Sequence, residues 1–236
     1  MSLAIVRRGA VALYKLTSAA GRKDSSRNKN AAAKFVGVRY TYGPDRHPKG
    51  ALSFSGRRNS YVLIPNTGCL DTKSSITILG WVYPESAGPL FHYNPKGWGV
   101  HLWMTRANEL FMRFVGRKRK RMPYLKSRKI RPRAWNYIAA TYNHRTGMAT
   151  LFVNSRPAIR KRIGRFSFGL ATNYAVVIGA KPGDRRYFRG RVACMQAFGR
   201  ALNAREIRLR MKTCFRGNFA PLHEVSTKFI NYRLFG

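Results

Sequence analysis

Runs of basic side chains are the feature of this sequence whose residue types and spacing most directly suggest chemistry. Five consecutive bases, residues 117–121, follow a predicted strand and precede Met122-Pro123, so we expect them at the tip of a hairpin. Arginine is more frequent than lysine in the basic groups, and its forked guanidinium donates paired hydrogen bonds to sulfate or phosphate. Solvated faces usually mix both charges, whereas these groups contain almost no acids. They predict a polyanion-binding surface.

The bases fall into four groups along the chain. We assign polyanion binding to bases of the three groups that precede the predicted helix. The run of five could instead be a nuclear localisation signal. The fourth group lies on a predicted helix and consists of Arg205, Arg208, Arg210 and Lys212. The predicted polyanion-binding residues are Arg117, Lys118, Arg119, Lys120, Arg121, Lys126, Arg128, Arg131, Arg160, Lys161, Arg162, Arg185, Arg186 and Arg189.

Two neighbouring predicted strands carry aromatic side chains on the face that we expect to point away from the core. Because a strand is pleated with period two, its more apolar set of side chains should face the core. That core set is Val100, Leu102, Met104, Leu110, Met112 and Phe114. The opposite face then carries Phe111 together with His101, Trp103 and Arg113, and these last three could stack a sugar ring or hold an anionic group. The alternative is that a second layer or a loop covers Trp103 and Phe111.

Carboxylates are too scattered in this sequence to suggest catalysis. Glycoside hydrolysis generally needs two carboxyl groups about 5–10 Å apart, yet the nearest two acids in the sequence, Asp71 and Glu85, are fourteen residues apart. The five histidines have no metal-ligand spacing, and no serine or cysteine nucleophile motif accompanies them. We predict no catalytic residue, no metal site and no cofactor.

Composition indicates a folded protein rather than a disordered polycation. The 236 residues carry a formal net charge of +38, yet 44% are hydrophobic and 13% aromatic. A disordered chain lacks the apolar surface that offsets chain entropy, whereas this one can build a core. Its charge must therefore cover a folded surface that attracts polyanions. No stretch approaches the roughly 20 apolar residues of a membrane helix.

Short strands punctuated by turn residues predict an all-β fold. Turn signals separate apolar runs at residues 11–16, 52–54, 61–64, 75–83, 99–104, 110–115, 135–142, 149–153, 174–178 and 191–198. Asn203 followed by Glu206 resembles a capping box and predicts one short helix over residues 204–212. The pattern predicts an antiparallel two-sheet sandwich or jelly roll with a single C-terminal helix. We expect an N-terminal extension over residues 1–9, one domain over 10–215 and a tail over 216–236.

The N-terminus and the three cysteines leave alternatives open. Residues 1–20 contain arginine and no acids, which is typical of a transit peptide. The alternative is that they already include the first strand, with any secretory signal lying upstream of this sequence. Cys194 and Cys214 could form a disulfide and leave Cys69 free. Three buried thiols are the alternative.

Several short motifs follow one another along the chain in a characteristic order. An early turn, Asp24-Ser25-Ser26 with Asn28 and Asn30, is followed by residues 50–56, 75–84, 135–142 and 151–154, and then by a closing strand and helix at residues 188–207. This order, over about residues 10–210, resembles that of the laminin-G-like and pentraxin-like domains of the concanavalin-A-like superfamily. Arg27 stands where the early turn of that group usually has glycine.

The resemblance implies a jelly-roll recognition module that is extracellular and binds glycans, matrix or receptor proteins, often with calcium. Ala193 stands where the family has an aspartate in its closing strand, and the acids are scattered, so no metal is predicted. The first hypothesis is therefore a non-catalytic extracellular module that binds sulfated or otherwise acidic glycans or acidic matrix proteins. The alternative is an intracellular nucleic-acid-binding protein, nuclear or organellar, that uses the same surface. A third hypothesis is that the surface charge serves solubility or mineral-matrix chemistry and binds no discrete ligand.

Overall fold

Two antiparallel β-sheets packed face to face form the body of the protein. The computed structural model describes residues 9–93, 98–118, 122–181 and 184–215. Strands are labelled β1 to β15 in chain order, and the one helix within the described ranges is α1, Ala204–Arg210. This architecture confirms the predicted all-β sandwich with a short C-terminal helix. Within the described ranges, no helix has the length and apolarity needed to cross a membrane.

One sheet has eight strands, which are β1 (Ala10–Tyr14), β3 (Arg39–Thr41), β4 (Ala51–Ser55), β6 (Ile76–Pro84), β11 (Asn136–Asn143), β12 (Met148–Val153), β13 (Arg156–Arg162) and β15 (Arg189–Phe198). Their order in the sheet is β13-β12-β11-β6-β15-β4-β3, with β1 also paired to β15. The other sheet has seven strands, which are β2 (Lys34–Val36), β5 (Tyr61–Ile64), β7 (Gly88–Tyr93), β8 (His101–Arg106), β9 (Glu109–Arg113), β10 (Tyr124–Ser127) and β14 (Val176–Ile178). Their order is β10-β9-β8-β7-β14-β5-β2.

The main hydrophobic core lies between the two sheets. The apolar faces of β8 and β9 both point into it, as the alternation of their side chains predicts. Leu102 and Met104 from β8, and Leu110 and Met112 from β9, are fully buried in this core. The other side chains of these two strands must therefore lie on the outer face of the seven-stranded sheet.

Helix α1 covers the outer face of the eight-stranded sheet. Asn203 accepts a hydrogen bond from the backbone of Glu206, whose side chain accepts one from the backbone of Asn203, so the predicted capping box is confirmed. Behind the helix the Trp81 indole donates to the Met211 carbonyl at 3.0 Å, and a second buried cluster forms. Cys194 and Cys214 are joined by a disulfide with their Cα atoms 5.7 Å apart, while Cys69 is an exposed free thiol.

The turn at Asp24 is held by hydrogen bonds to its carboxylate. One oxygen accepts from the backbone of Leu13 and of Ser26, and the other accepts from the Ser26 hydroxyl and from Asn30. These donors tie the turn to β1. The carboxylate of Asp24 therefore has a structural role in this fold.

Candidate functional site

The outer face of the seven-stranded sheet carries rows of aromatic and basic side chains across β8, β9 and β10. In one row His101 pairs with Arg113, which pairs with Tyr124. In the next row Trp103 pairs with Phe111, which pairs with Lys126. Cross-strand partners stand about 4.5–5.5 Å apart on the same face of a sheet. The fold thus brings predicted stacking residues beside a predicted polyanion-binding residue, Lys126.

Aromatic rings in these rows are stacked on one another. The Phe111 ring lies 5.9 Å from that of His101 and 5.3 Å from that of Tyr124, with interplanar angles of 27° and 26°. The Arg113 guanidinium lies over Phe111 and Tyr124, at 5.2 and 5.8 Å from their centroids. Tyr124 ends the stack on the edge strand and is 47% exposed. It therefore offers a ring surface to solvent.

The inner part of this face is covered, which corrects the expectation of an open surface at His101 and Trp103. Each of these two residues is only 2% exposed. The Trp98 ring lies 5.2 Å from His101, and the guanidinium of Arg186 lies 4.4 Å from the centre of the Trp103 ring. The covering segment that the sequence left as the alternative is thus present over Trp103. In this conformation the exposed ring of this face is that of Tyr124, which was not assigned to the site from the sequence.

Buried polar groups lie beneath the cover. His92 pairs with His101 across β7 and β8, with ring centroids 5.4 Å apart. Burial is the main cause that lowers the pKa of His92 to about 3 and that of His101 to about 4, so both rings are neutral near pH 7. Within the described ranges, both nitrogens of His92, the Trp103 indole nitrogen and Nε of Arg113 have no hydrogen-bond partner.

A basic edge adjoins the aromatic face. Strand β10 ends the seven-stranded sheet, β13 ends the eight-stranded sheet, and the two strands contact each other along one side of the sandwich. We define the basic edge by their exposed bases, which are Lys126, Arg156, Arg160, Lys161 and Arg162. Alternate residues of a strand are about 6.7 Å apart. Arg160 and Arg162 therefore repeat on one face at a spacing that suits a linear polyanion.

The acids of the described ranges are all engaged within the fold. Asp24 and Asp45 accept hydrogen bonds from nearby backbone and side-chain groups. The other five form the salt bridges Asp71–Arg117, Glu85–Arg189, Glu109–Arg128, Asp184–Arg186 and Glu206–Arg200. No salt bridge within the described ranges reaches the basic edge. Glu109 interacts electrostatically with Lys126, whereas the bases of β13 have no acid paired with them in this part of the chain.

The remaining predicted polyanion-binding residues are placed differently. Arg117 donates to the Asp71 carboxylate and also, from Nε, to the Leu170 carbonyl at 3.2 Å, so its guanidinium is tied to the fold. Arg128, Arg186 and Arg189 are each paired with an acid but remain exposed. Lys118, Arg131 and Arg185 are exposed as well. Arg119, Lys120 and Arg121 lie outside the described residues.

The environments of the carboxylates are those of ion pairs. Hydrogen bonds from Thr105 and Arg128 lower the pKa of Glu109, and the hydrogen bond from Arg186 lowers that of Asp184. Burial raises the pKa of Asp71, but its bonds to Arg117 and Thr172 outweigh burial and the net pKa is lowered. Within the described ranges, no cluster of three or more histidine, cysteine or acidic side chains is arranged to hold a metal ion.

Comparison with known proteins places the fold in a family. A family model described as the concanavalin A-like lectin/glucanases superfamily matches residues 55–208. That span includes the basic edge and both rows of the aromatic face. A search of curated protein sequences found no match.

Solved structures share the sandwich. The binding domain of Paraclostridial Mosquitocidal Protein 1 matches with a TM-score of 0.71 and 18% identity over 86% of this chain and 52% of that chain. The ligand binding domain of botulinum neurotoxin serotype D, solved in complex with N-acetylneuraminic acid, matches with a TM-score of 0.70 and 11% identity over 88% of this chain and 51% of that chain. This chain spans about half the length of those domains, and at such identities the likeness shows the fold alone.

Proposed function

The chain belongs to the laminin-G-like family of the concanavalin A-like lectin/glucanases superfamily, and from that premise we propose that it is a non-catalytic recognition module for polyanions. Its preferred ligands are sulfated or otherwise acidic glycans, bound at the basic edge. The observation that carries the proposal is the run of exposed bases on β13, at the side of the sandwich where that strand contacts β10. None of these β13 bases forms a salt bridge within the described ranges.

The mechanism is electrostatic. A linear polyanion laid along the edge releases its condensed counterions, and arginine forks then fix individual sulfate or carboxylate groups. Arg160 and Arg162 repeat along one face of β13, and Lys161 lies between them on the other face of the strand. Such binding needs no bond breaking and no cofactor.

The charge states of the carboxylates support a non-catalytic role. A glycosidase needs one carboxyl group with a raised pKa to act as the acid. The pKa values of Asp71, Glu109, Asp184 and Glu206 are instead lowered, so these groups are ionised near neutral pH. Each is also committed to an arginine.

An extracellular location forms part of the proposal. Relatives of this family are mostly secreted, and a disulfide such as Cys194–Cys214 persists in oxidising compartments. The family resemblance and the disulfide therefore support the same environment, one in which acidic glycans are abundant.

Nucleic acid is the second candidate, favoured by one specific observation. Tyr124 and Phe111 alternate with Arg113 and Lys126 on the sheet face beside the basic edge. Aromatic rings interleaved with bases also serve proteins that bind single-stranded nucleic acid, because the rings stack bases while the cations hold phosphates. The test of function must therefore compare both kinds of polymer.

We would measure binding to heparin, random-sequence RNA and duplex DNA across a salt titration. The wild type is compared with an Arg160→Glu/Arg162→Glu variant and with a matched Arg205→Glu/Arg208→Glu control, whose substitutions change the same charge on the exposed side of α1. For duplex DNA, each lost contact lowers the salt slope by roughly 0.9. We expect heparin binding to persist at physiological salt and to fall on the order of tenfold in the β13 variant only.

Two results would overturn the proposal. Equal weakening by the α1 control would mean that the total charge, rather than the basic edge, determines binding. Loss of heparin at a salt concentration where RNA or DNA remains bound would replace the glycan with nucleic acid.

A further inference from the structure

A compact patch on the sheet face has the composition of a binding subsite. It consists of Arg113, Tyr124, Phe111 and Lys126, which we call the four-residue patch. The two cross-strand pairs Arg113–Tyr124 and Phe111–Lys126 are adjacent on β9 and β10. Aromatic rings occupy one diagonal of the square and cations occupy the other. A ligand centred on the patch would contact ring and charge at the same time.

The cations of the patch are not committed to ion pairs. Within the described ranges, neither Arg113 nor Lys126 forms a salt bridge, although Glu109 lies close enough to Lys126 to interact with it electrostatically. One step further along β9, Glu109 accepts from Thr105 at 2.7 Å and pairs with Arg128 at 3.0 Å. The charge of Glu109 is thus balanced by Arg128. Glu109 therefore marks the boundary of the four-residue patch on that side.

Unused hydrogen-bond donors also lie at the patch. Nε of Arg113 is buried and has no acceptor within the described ranges. Trp103, which pairs with Phe111, is 2% exposed and its indole N–H has no acceptor there either. Buried donors are normally satisfied, because leaving one unpaired costs about 1–3 kcal/mol. The Trp103 indole lies beneath the Arg186 cover, so an anionic group bound at the patch supplies an acceptor to the Arg113 guanidinium alone.

The ring surface of the patch is open on the edge strand. Tyr124 is 47% exposed and has Phe111 stacked behind it at 5.3 Å. Phe111 and the Arg113 guanidinium brace the tyrosine ring, so little side-chain freedom is lost when a ligand packs on it.

From these contacts we infer that the four-residue patch binds one sugar residue that carries a carboxylate or sulfate. The sugar ring lies on Tyr124, and its anionic group lies between Arg113 and Lys126. The inference rests on the proposed function, because it assigns one unit of the acidic glycan to this patch while the rest of the polymer follows the basic edge. Neutral sugars lack the group that the two cations require.

The test uses small ligands that are too short to depend on the basic edge. Calorimetry would measure binding of a sulfated, uronate-containing disaccharide, a neutral disaccharide and uridine monophosphate to the full chain. Tyr124→Ala should weaken the acidic disaccharide about tenfold, while Tyr124→Phe should retain binding. Lys126→Gln should weaken it severalfold. Tyr42→Ala is the matched control, because Tyr42 is an exposed tyrosine, at 58%, outside the patch.

Each contrary result has its own meaning. Equal binding of the neutral disaccharide, or equal weakening by Tyr42→Ala, would overturn the subsite. Tighter binding of uridine monophosphate would replace the sugar with a nucleotide. If the acidic disaccharide does not bind while heparin still depends on Arg160 and Arg162, the subsite is wrong and the proposed function stands. If the disaccharide binds through Tyr124 while heparin binding is insensitive to Arg160 and Arg162, the subsite stands and the basic edge is wrong.

Discussion

The guanidinium carbon of Arg186 lies 4.4 Å from the centre of the Trp103 ring. Asp184 fixes it there, since Nε and Nη2 of Arg186 donate to the two carboxylate oxygens at 2.9 and 2.6 Å. A cation over an indole face is attracted by the quadrupole of the ring. This contact closes the inner part of the aromatic face and leaves Tyr124 as its exposed end.

Removal of the Arg186 side chain should expose Trp103. We expect Arg186→Ala to increase acrylamide quenching of tryptophan fluorescence, because the guanidinium covers the indole directly. Arg185→Ala is the control, since Arg185 is the exposed neighbour and has no ring contact among the described residues. Unchanged quenching in Arg186→Ala would show that other groups close the face.

Several strands at the centre of the fold could be predicted from sequence because core-facing apolar side chains alternate along them. Strand β5 was predicted with the bounds Tyr61–Ile64 that the structure has, and the core faces of β8 and β9 were assigned correctly. Strand β7 was missed because all six of its residues are buried, so it shows no alternation. The edge strands β2, β3, β10 and β13 were missed as well, because exposed edges carry charge and lack a hydrophobic period.

The candidate site could be predicted only in part for the same reason. The bases of β13 appear in the sequence as a charge run, but nothing local indicates that this run is an edge strand lying against β10. Tyr124 was not selected because β10 was not recognised as a strand. Trp103 and His101 were placed on the correct face, but the cover of Trp103 depends on Arg186, a residue more than eighty positions away in the sequence. Such contacts are set by tertiary structure.

Acid should destabilise the protein through its buried histidines. The pKa of His92 is lowered to about 3 and that of His101 to about 4, mainly by burial, against about 6.5 in an unfolded chain. Above about pH 6.5 both rings are neutral in the folded and the unfolded protein, and the folded state has its full stability. As the pH falls toward 4 and 3, the unfolded chain takes up protons that the buried rings do not, so stability is lost. The free energy of unfolding should decrease by up to about 1.4 kcal/mol per pH unit for each histidine.

Urea unfolding of His92→Leu across that pH range isolates the contribution of one ring. We expect little loss at pH 7, because the nitrogens of His92 make no hydrogen bond within the described ranges, and a shallower decrease in acid. His47→Gln is the control, because His47 is an exposed histidine outside this buried pair. A variant slope equal to that of wild type would contradict the assignment to His92.

Reduction of the disulfide should loosen the C-terminal cover of the eight-stranded sheet. Cys194 and Cys214 are twenty residues apart in sequence, and a crosslink of that length contributes about 2–4 kcal/mol to stability. A Cys194→Ala/Cys214→Ala variant, or wild type with reductant, should therefore unfold at lower urea concentration. Cys69→Ser should behave as wild type because that thiol is free and exposed. An unfolding midpoint that ignores reductant would show that the crosslink does not stabilise this cover.

Arg117 should matter for stability rather than for polyanion binding. Its guanidinium donates to Asp71 and to the Leu170 carbonyl, and Asp71 also accepts from the Thr172 hydroxyl at 2.8 Å. Arg117→Ala leaves that carboxylate without its main partner, so the free energy of unfolding at pH 7 should fall by about 1–3 kcal/mol. Lys118→Ala is the matched control, because Lys118 is the exposed neighbour and contacts the Phe168 ring at the surface.

Two further measurements separate the structural role of Arg117 from a binding role. The net pKa of Asp71 is lowered, because its hydrogen bonds outweigh burial. The ionised Asp71 carboxylate therefore stabilises the fold above the unfolded pKa of about 3.9, and this stabilisation is lost as the pH falls through the lower folded pKa. The stability difference between wild type and Arg117→Ala should therefore shrink below about pH 4. The salt dependence of heparin binding should match that of wild type, because an arginine engaged with Asp71 releases few counterions on binding. A reduced salt slope with unchanged stability would instead return Arg117 to the binding surface.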